Sequence, residues 1–174
     1  SLLMQHLLSK TQDKTRRAVL LNYFLEQFRT TLYRQTMFAE FEWKAHQMAE
    51  AGETLTADNL KAMYLQLNRD YFGPETVVDD EIAVEWARIP HFYRHFYVYQ
   101  YATGFSAAMA LSARILKEGE PAVADYLKFL SGGCSTDPVS LLKIAGVDMS
   151  TPEPVAQALA LFGQLIDELA ALLQ

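Results

Sequence analysis

The sequence predicts an all-α fold, and three observations carry the prediction. Apolar residues recur at three- and four-residue intervals over long stretches, and no stretch alternates with a period of two. Helix-start and helix-stop residues stand where that periodicity lapses. The first ten residues, SLLMQHLLSK, gather Leu2, Leu3, Leu7 and Leu8 on one side of an amphipathic helix with no capping residue before them. Over 13–50, Leu20, Leu21, Phe24, Leu25, Phe28, Leu32, Phe38, Phe41, Ala45 and Met48 trace one long amphipathic helix, which Gly52 ends. Thr56 caps a second helix through Leu60, Met63, Leu67 and Tyr71. That helix stops at Gly73-Pro74, because proline disfavours helical geometry in the residue before it. An acidic linker follows over 75–85. Residues 86–90 lead into an aromatic segment whose second half, 97–116, reads as a helix rich in small residues that let another helix approach closely. A helix over 121–130 and the turn SGGCSTDP come next. A short helix opened by Asp137 as cap and Pro138 at its first position follows, and Thr151-Pro152 repeats the signal before a last helix that runs to Leu173.

Composition bounds the function. At 174 residues, 51% hydrophobic and 21% charged, the chain has apolar material for one core and the length of one domain, so 1–174 is expected to form a single helical region. A net charge of −6, with no basic stretch interleaved with aromatics, excludes nucleic acid as a partner. Cys134 is the only cysteine; it forms no internal disulfide and anchors no thiolate zinc cluster, which fits a reducing, cytoplasmic setting. The first residues lack the basic leader and cleavage site of a signal peptide. No uncharged stretch approaches the roughly 18–20 residues of a membrane span, so no membrane partner is expected.

Most chemical signatures are absent. Gly132-Gly133 is not followed by the Gly-Lys-Ser/Thr of a phosphate loop, and there is neither a G-x-S-x-G elbow nor an H-E-x-x-H pair. Glu42, His46 and Glu50 lie at i, i+4 and i+8, so one helical face presents two carboxylates and an imidazole. That spacing suits a metal ion in principle, but charges so spaced ordinarily form a solvated face. Between Pro90 and Phe105 stand Tyr93, Tyr97, Tyr99, Tyr101, Phe92, Phe96, Phe105, His91 and His95, a dense run of apolar bodies with polar tips. On a helix, Tyr97 and Tyr101 project their hydroxyls from one face. Phenol and imidazole donors so placed can stabilise an oxyanion or bind a peptide backbone. The same pattern also suits a tyrosine-rich core seam in which each hydroxyl finds a partner.

The stretches FRTTLYRQTMFAEFE, IPHFYRHFYVYQYATGFSAA, FLSGGCSTDP and AGVDMSTPEP, in this order and spacing, resemble the oligoendopeptidase F family of zinc metallopeptidases over nearly the whole chain. The resemblance implies the C-terminal helical part of a zincin-type, mostly helical catalytic domain that hydrolyses oligopeptides in a deep cleft. It also implies that the zinc ligands and general base of the family's H-E-x-x-H helix lie upstream of Ser1. Zinc is then the cofactor of the full-length enzyme, with no metal ligand and no bound zinc expected in this chain, and the isolated chain is expected to be inactive. By the same resemblance His91 and Tyr97 take the catalytic positions. With Tyr101 they are expected to donate hydrogen bonds to the substrate backbone and to the tetrahedral oxyanion. Relatives in the wider thimet-type superfamily place the histidine one residue nearer the tyrosine, which keeps His95 as the alternative to His91. Phe105 stands where many relatives carry a further tyrosine, and Glu42 with His46 resembles an acidic-x-x-x-His pair. The implied partners are an oligopeptide and the N-terminal part of the same catalytic domain; self-association through exposed apolar surface is also expected. The alternative is a stand-alone, non-catalytic helical module that binds a peptide or a protein.

Overall fold

Local signals place the helix ends. The computed structural model describes residues 1–174 as α1 (Leu2–Lys10), α2 (Lys14–Gln27), α3 (Arg34–Glu50), α4 (Ala57–Phe72), α5 (Tyr99–Glu118), α6 (Glu120–Ser131), α7 (Pro138–Ile144) and α8 (Glu153–Leu173). There is no strand, and the fold is all-α as the periodicity requires. Asp13, Thr56 and Asp137 each accept a backbone N–H three residues on, at 2.8, 3.2 and 2.9 Å, so orphan donors at the starts of α2, α4 and α7 are satisfied. Gly73, at φ 76° and ψ 172°, takes a positive-φ extended conformation that only glycine adopts readily, and closes α4.

Thr151-Pro152 does not cap α8. The carboxylate of Asp148 accepts the Ser150 N–H at 2.9 Å, and the Thr151 hydroxyl donates to the Asp148 carbonyl at 2.8 Å. Thr151 is thereby consumed by a turn of its own, and α8 begins at Glu153.

The chain divides into two compact units, Thr30–Ala102 and Ser1–Arg29 with Thr103–Gln174. In the unit built from both ends of the chain, Leu21, Phe24 and Phe28 are fully buried, and the Phe28 ring meets Phe105 at 4.9 Å and Phe162 at 5.3 Å. The Arg17 guanidinium pairs with Glu168 of α8 and donates to the carbonyls of Leu8 and Thr11. Small residues let α5 pack closely: Ala107, Ala110 and Leu111 form a core with Ala145 and Val147. Beside them Arg114 reaches Asp125 at 2.7 Å, Glu118 at 2.9 Å and the Ala145 carbonyl at 2.6 Å. A Cβ at Gly146, where φ is 78°, would run into that pinned guanidinium.

Helix α8 is long and apolar enough to cross a bilayer, with a mean hydropathy of 1.4 over an 18-residue window. Counting only uncharged runs does not register it, because Asp167 and Glu168 interrupt the sequence near its end. Only 11% of that window is buried within the chain. Pro154, Ala158 and Leu165 are buried, while Leu159, Ile166 and Leu173 are exposed. An apolar surface this large should raise the fluorescence of an environment-sensitive dye above that seen with an ordinary globular protein of equal size, and Ile166→Glu should reduce it. Dye binding no higher than that control would show the face to be covered in solution.

The 13–50 segment is not one α-helix. Between α2 and α3 the ladder widens to a π-helix at Phe28–Tyr33. Two carbonyls of the widened stretch take side-chain donors, Thr30 from Gln35 at 3.4 Å and Leu32 from Thr36 at 2.7 Å. The extra residue is legible afterwards as a five-residue step, Leu32 to Met37, in an otherwise three- and four-spaced buried series.

In the unit Thr30–Ala102 the core joins Met37, Phe38 and Phe41 of α3 to Tyr64 and Leu67 of α4, with Ile89 and Val98. The 75–85 stretch, expected as an acidic linker, turns at Asp80 into a 3₁₀ helix that runs to Arg88. It buries Ala83 and Glu85. The Glu85 carboxylate, 8% exposed, accepts from the Tyr64 hydroxyl at 2.7 Å, from Arg34 at 2.6 Å and from Arg88. Burial and then this carboxylate push the Tyr64 phenol well above the usual tyrosine value.

Candidate active site

The aromatic segment is anchored at three points, and those anchors decide which side chains are presented. Ile89 and Val98 are buried in the core, and the Phe92 ring packs on Phe38 at 5.4 Å and Phe41 at 5.2 Å. Between them, Pro90 starts a 3₁₀ turn over Pro90–Tyr93 that leaves His91 half-buried. Val98 also starts α5, because its carbonyl accepts the Tyr101 N–H at 3.1 Å while the Tyr97 carbonyl accepts from Gln100 at 3.2 Å. Tyr97 therefore lies just before the helix and not on it. The expectation that Tyr97 and Tyr101 share a helical face is corrected in this respect: one tyrosine comes from the helix and the other from the turn that enters it.

The two rings still meet, at 5.7 Å between centroids and 73° between planes. His91 completes the group, stacked on Tyr97 at 5.4 Å and edge-on to Tyr101 at 5.8 Å. The Tyr101 hydroxyl and His91 Nε2 share a hydrogen bond of 3.3 Å. Tyr97 and Tyr101 remain 42% and 38% exposed. Partial desolvation within the cluster, and after it the neighbouring Tyr97 hydroxyl, raise the Tyr101 phenol above its ordinary value.

The other aromatic-segment residues go elsewhere. His95 is exposed and takes no part in these ring contacts. The Tyr93 hydroxyl donates to the Ala87 carbonyl at 3.1 Å. Phe105 packs on Phe28.

Sequence reasoning missed the role of Glu42 and His46. Glu42 is 5% exposed, not part of a solvated face, and its carboxylate accepts the Phe96 backbone N–H at 2.5 Å. The His46 ring lies 4.5 Å from the Phe96 ring, and its Nδ1–H donates to the Glu42 carbonyl at 2.8 Å. The available signal was position: Glu42 follows Phe41 directly and Phe38 by four, on the side of α3 that carries the core. Beside the pair, Phe41, Leu60, Trp86 and Phe92 line an apolar pocket of about 270 Å³. No three His, Cys, Asp or Glu side chains converge as a metal site, and Cys134 is free and exposed.

The model of peptidase family M3 matches residues 1–161. The chain belongs to peptidase family M3. Among relatives of this M3 chain, the oligopeptidase PepF of Bacillus subtilis is 53% identical over 173 residues, covering 99% of this chain and 26% of the relative. The chromosomal oligoendopeptidase F of Lactococcus lactis subsp. cremoris is 40% identical over 174 residues, covering all of this chain and 29% of the relative. The crystal structure of oligoendopeptidase-F from Enterococcus faecium superposes with a TM-score of 0.94 at 44% identity, over 98% of this chain and 33% of that one. The M3 chain thus spans about a quarter to a third of the length of these relatives. The zinc implied by the resemblance has no set of ligands among the residues of this chain.

Proposed function

We propose that this chain forms the substrate-side clamp of an M3 zinc metalloendopeptidase that hydrolyses oligopeptides in the cytoplasm, with the zinc and its general base held by residues outside this sequence. The observation that supports the reading is the meeting of His91, Tyr97 and Tyr101 in one half-exposed cluster. When a peptide carbonyl is attacked, negative charge develops on its oxygen. Fixed O–H and N–H donors aimed at that position stabilise the transition state more than the ground state. Tyr97 is assigned to the oxyanion. Tyr101, already bonded to His91, is assigned with it to the peptide backbone. The exposure of both tyrosines supports this assignment over a tyrosine-rich core seam, in which the side chains would be enclosed.

The test separates the region from the whole. The purified 174-residue chain should not hydrolyse oligopeptides. Placed in the Bacillus subtilis relative, in exchange for the segment it matches, it should yield an active hybrid. Chelator-sensitive hydrolysis by the chain alone would overturn the reading, because it would require a metal site within these residues. A hybrid that folds and binds zinc but binds peptides without cleaving them would favour the non-catalytic binding module.

A further inference from the structure

Phe96 is the only residue other than glycine with positive φ, at 55°, in the left-handed region where a bulky side chain is uncommon. It directly precedes Tyr97, and the turn it makes sets the direction in which Tyr97 enters the cluster. Such a conformation persists only where the surroundings over-determine it. Here α3 holds Phe96 at two points, the buried Glu42 carboxylate on its N–H and the His46 ring on its side chain. His46 is itself oriented by its bond to the Glu42 carbonyl, one helical turn back.

We infer that Glu42 and His46 are positioning residues, which hold Phe96 left-handed and so deliver Tyr97 to His91 and Tyr101. The functional consequence rests on the clamp reading above; the structural consequence does not. The positioning role explains why a carboxylate sits in an aromatic core with a backbone N–H as its partner. A carboxylate suits the task because it accepts a charge-assisted hydrogen bond at short range. A glutamine keeps an acceptor oxygen in the same place, so Glu42→Gln should retain the turn, whereas Glu42→Ala should release it.

Two readouts test the inference. In the 174-residue chain, proton NMR should show contacts between the Tyr97 and His91 rings in the wild type and in Glu42→Gln, and their loss in Glu42→Ala. The core contact between Phe41 and Tyr64, 5.2 Å apart and independent of Phe96, should persist and show that the variant is folded. Persistence of the Tyr97–His91 contacts in folded Glu42→Ala would overturn the inference. Should Glu42→Ala lose the core contact, the milder His46→Ala decides in the same way. In the hybrid peptidase, Glu42→Ala should lower kcat by about 10²-fold, the scale expected for misplacement of a reacting group by about 1 Å, with KM little changed. On a Tyr97→Phe background it should lower kcat by no more than about twofold further, because coupled residues are not additive. Full additivity sinks the inference and leaves the clamp standing. No effect of Tyr97→Phe by itself sinks the clamp and leaves the NMR result to judge the positioning.

Discussion

Tyr97→Phe in the hybrid peptidase should lower kcat by about 10²–10³-fold, equivalent to about 2.7–4 kcal/mol, the usual loss when one oxyanion donor is removed. The substitution deletes a hydroxyl and keeps the ring, so the stacking on His91 and the edge contact with Tyr101 survive. KM should change little, since the bond is made in the transition state. Tyr93→Phe is the control: its hydroxyl is committed to the Ala87 carbonyl outside the cluster, and kcat should hold. Loss of the Tyr97 hydroxyl should also lower the Tyr101 titration midpoint toward, but not to, the ordinary tyrosine value. Partial desolvation within the cluster, the cause that does not depend on Tyr97, remains. Unchanged kcat in Tyr97→Phe would remove Tyr97 from the chemistry.

Glu85→Ala should destabilise the Thr30–Ala102 unit by about 3–5 kcal/mol, because it leaves Arg34 and the Tyr64 hydroxyl without their buried partner. Trp43 and Trp86 both lie in that unit, so denaturant unfolding followed by tryptophan fluorescence reports it directly. Glu85 also carries a pH dependence. Burial raises its pKa, but hydrogen bonds from Tyr64 and Arg34 and the charges of Arg34 and Arg88 outweigh that and hold it below the usual carboxylate value. A folded pKa below the unfolded one means stability that is full above the unfolded value, about 4.3, and lost as pH falls through the lower folded value. Glu85→Gln should flatten that acid limb. A loss below about 1 kcal/mol for Glu85→Ala would place Glu85 with exposed surface pairs instead.

The contrast between Glu85 and Thr56 shows how far the sequence could be read. Thr56 caps α4 because its partner, the Asn59 N–H, lies three residues away, so the decision is written within one turn. Glu85 looks like the end of an acidic linker, since the residues that bury it, Arg34 and Tyr64, are 51 and 21 positions distant. Thr151 shows that even a local signal can lose to a competing local one, the turn at Asp148.

By itself the sequence determined the helical class, most helix ends, the family, and the residue types from which a clamp could be built. These follow from periodicity, from capping groups whose partners are near neighbours in the chain, and from motifs read in order. Only the tertiary structure decided that Tyr97 leaves the helix, that His91 and not His95 meets it, and that Glu42 is buried beneath the turn at Phe96. Each of those outcomes turns on groups far apart in sequence. The Glu42 carboxylate and the Phe96 N–H are 54 residues apart, and helical spacing says which face a side chain is on but not what that face will meet.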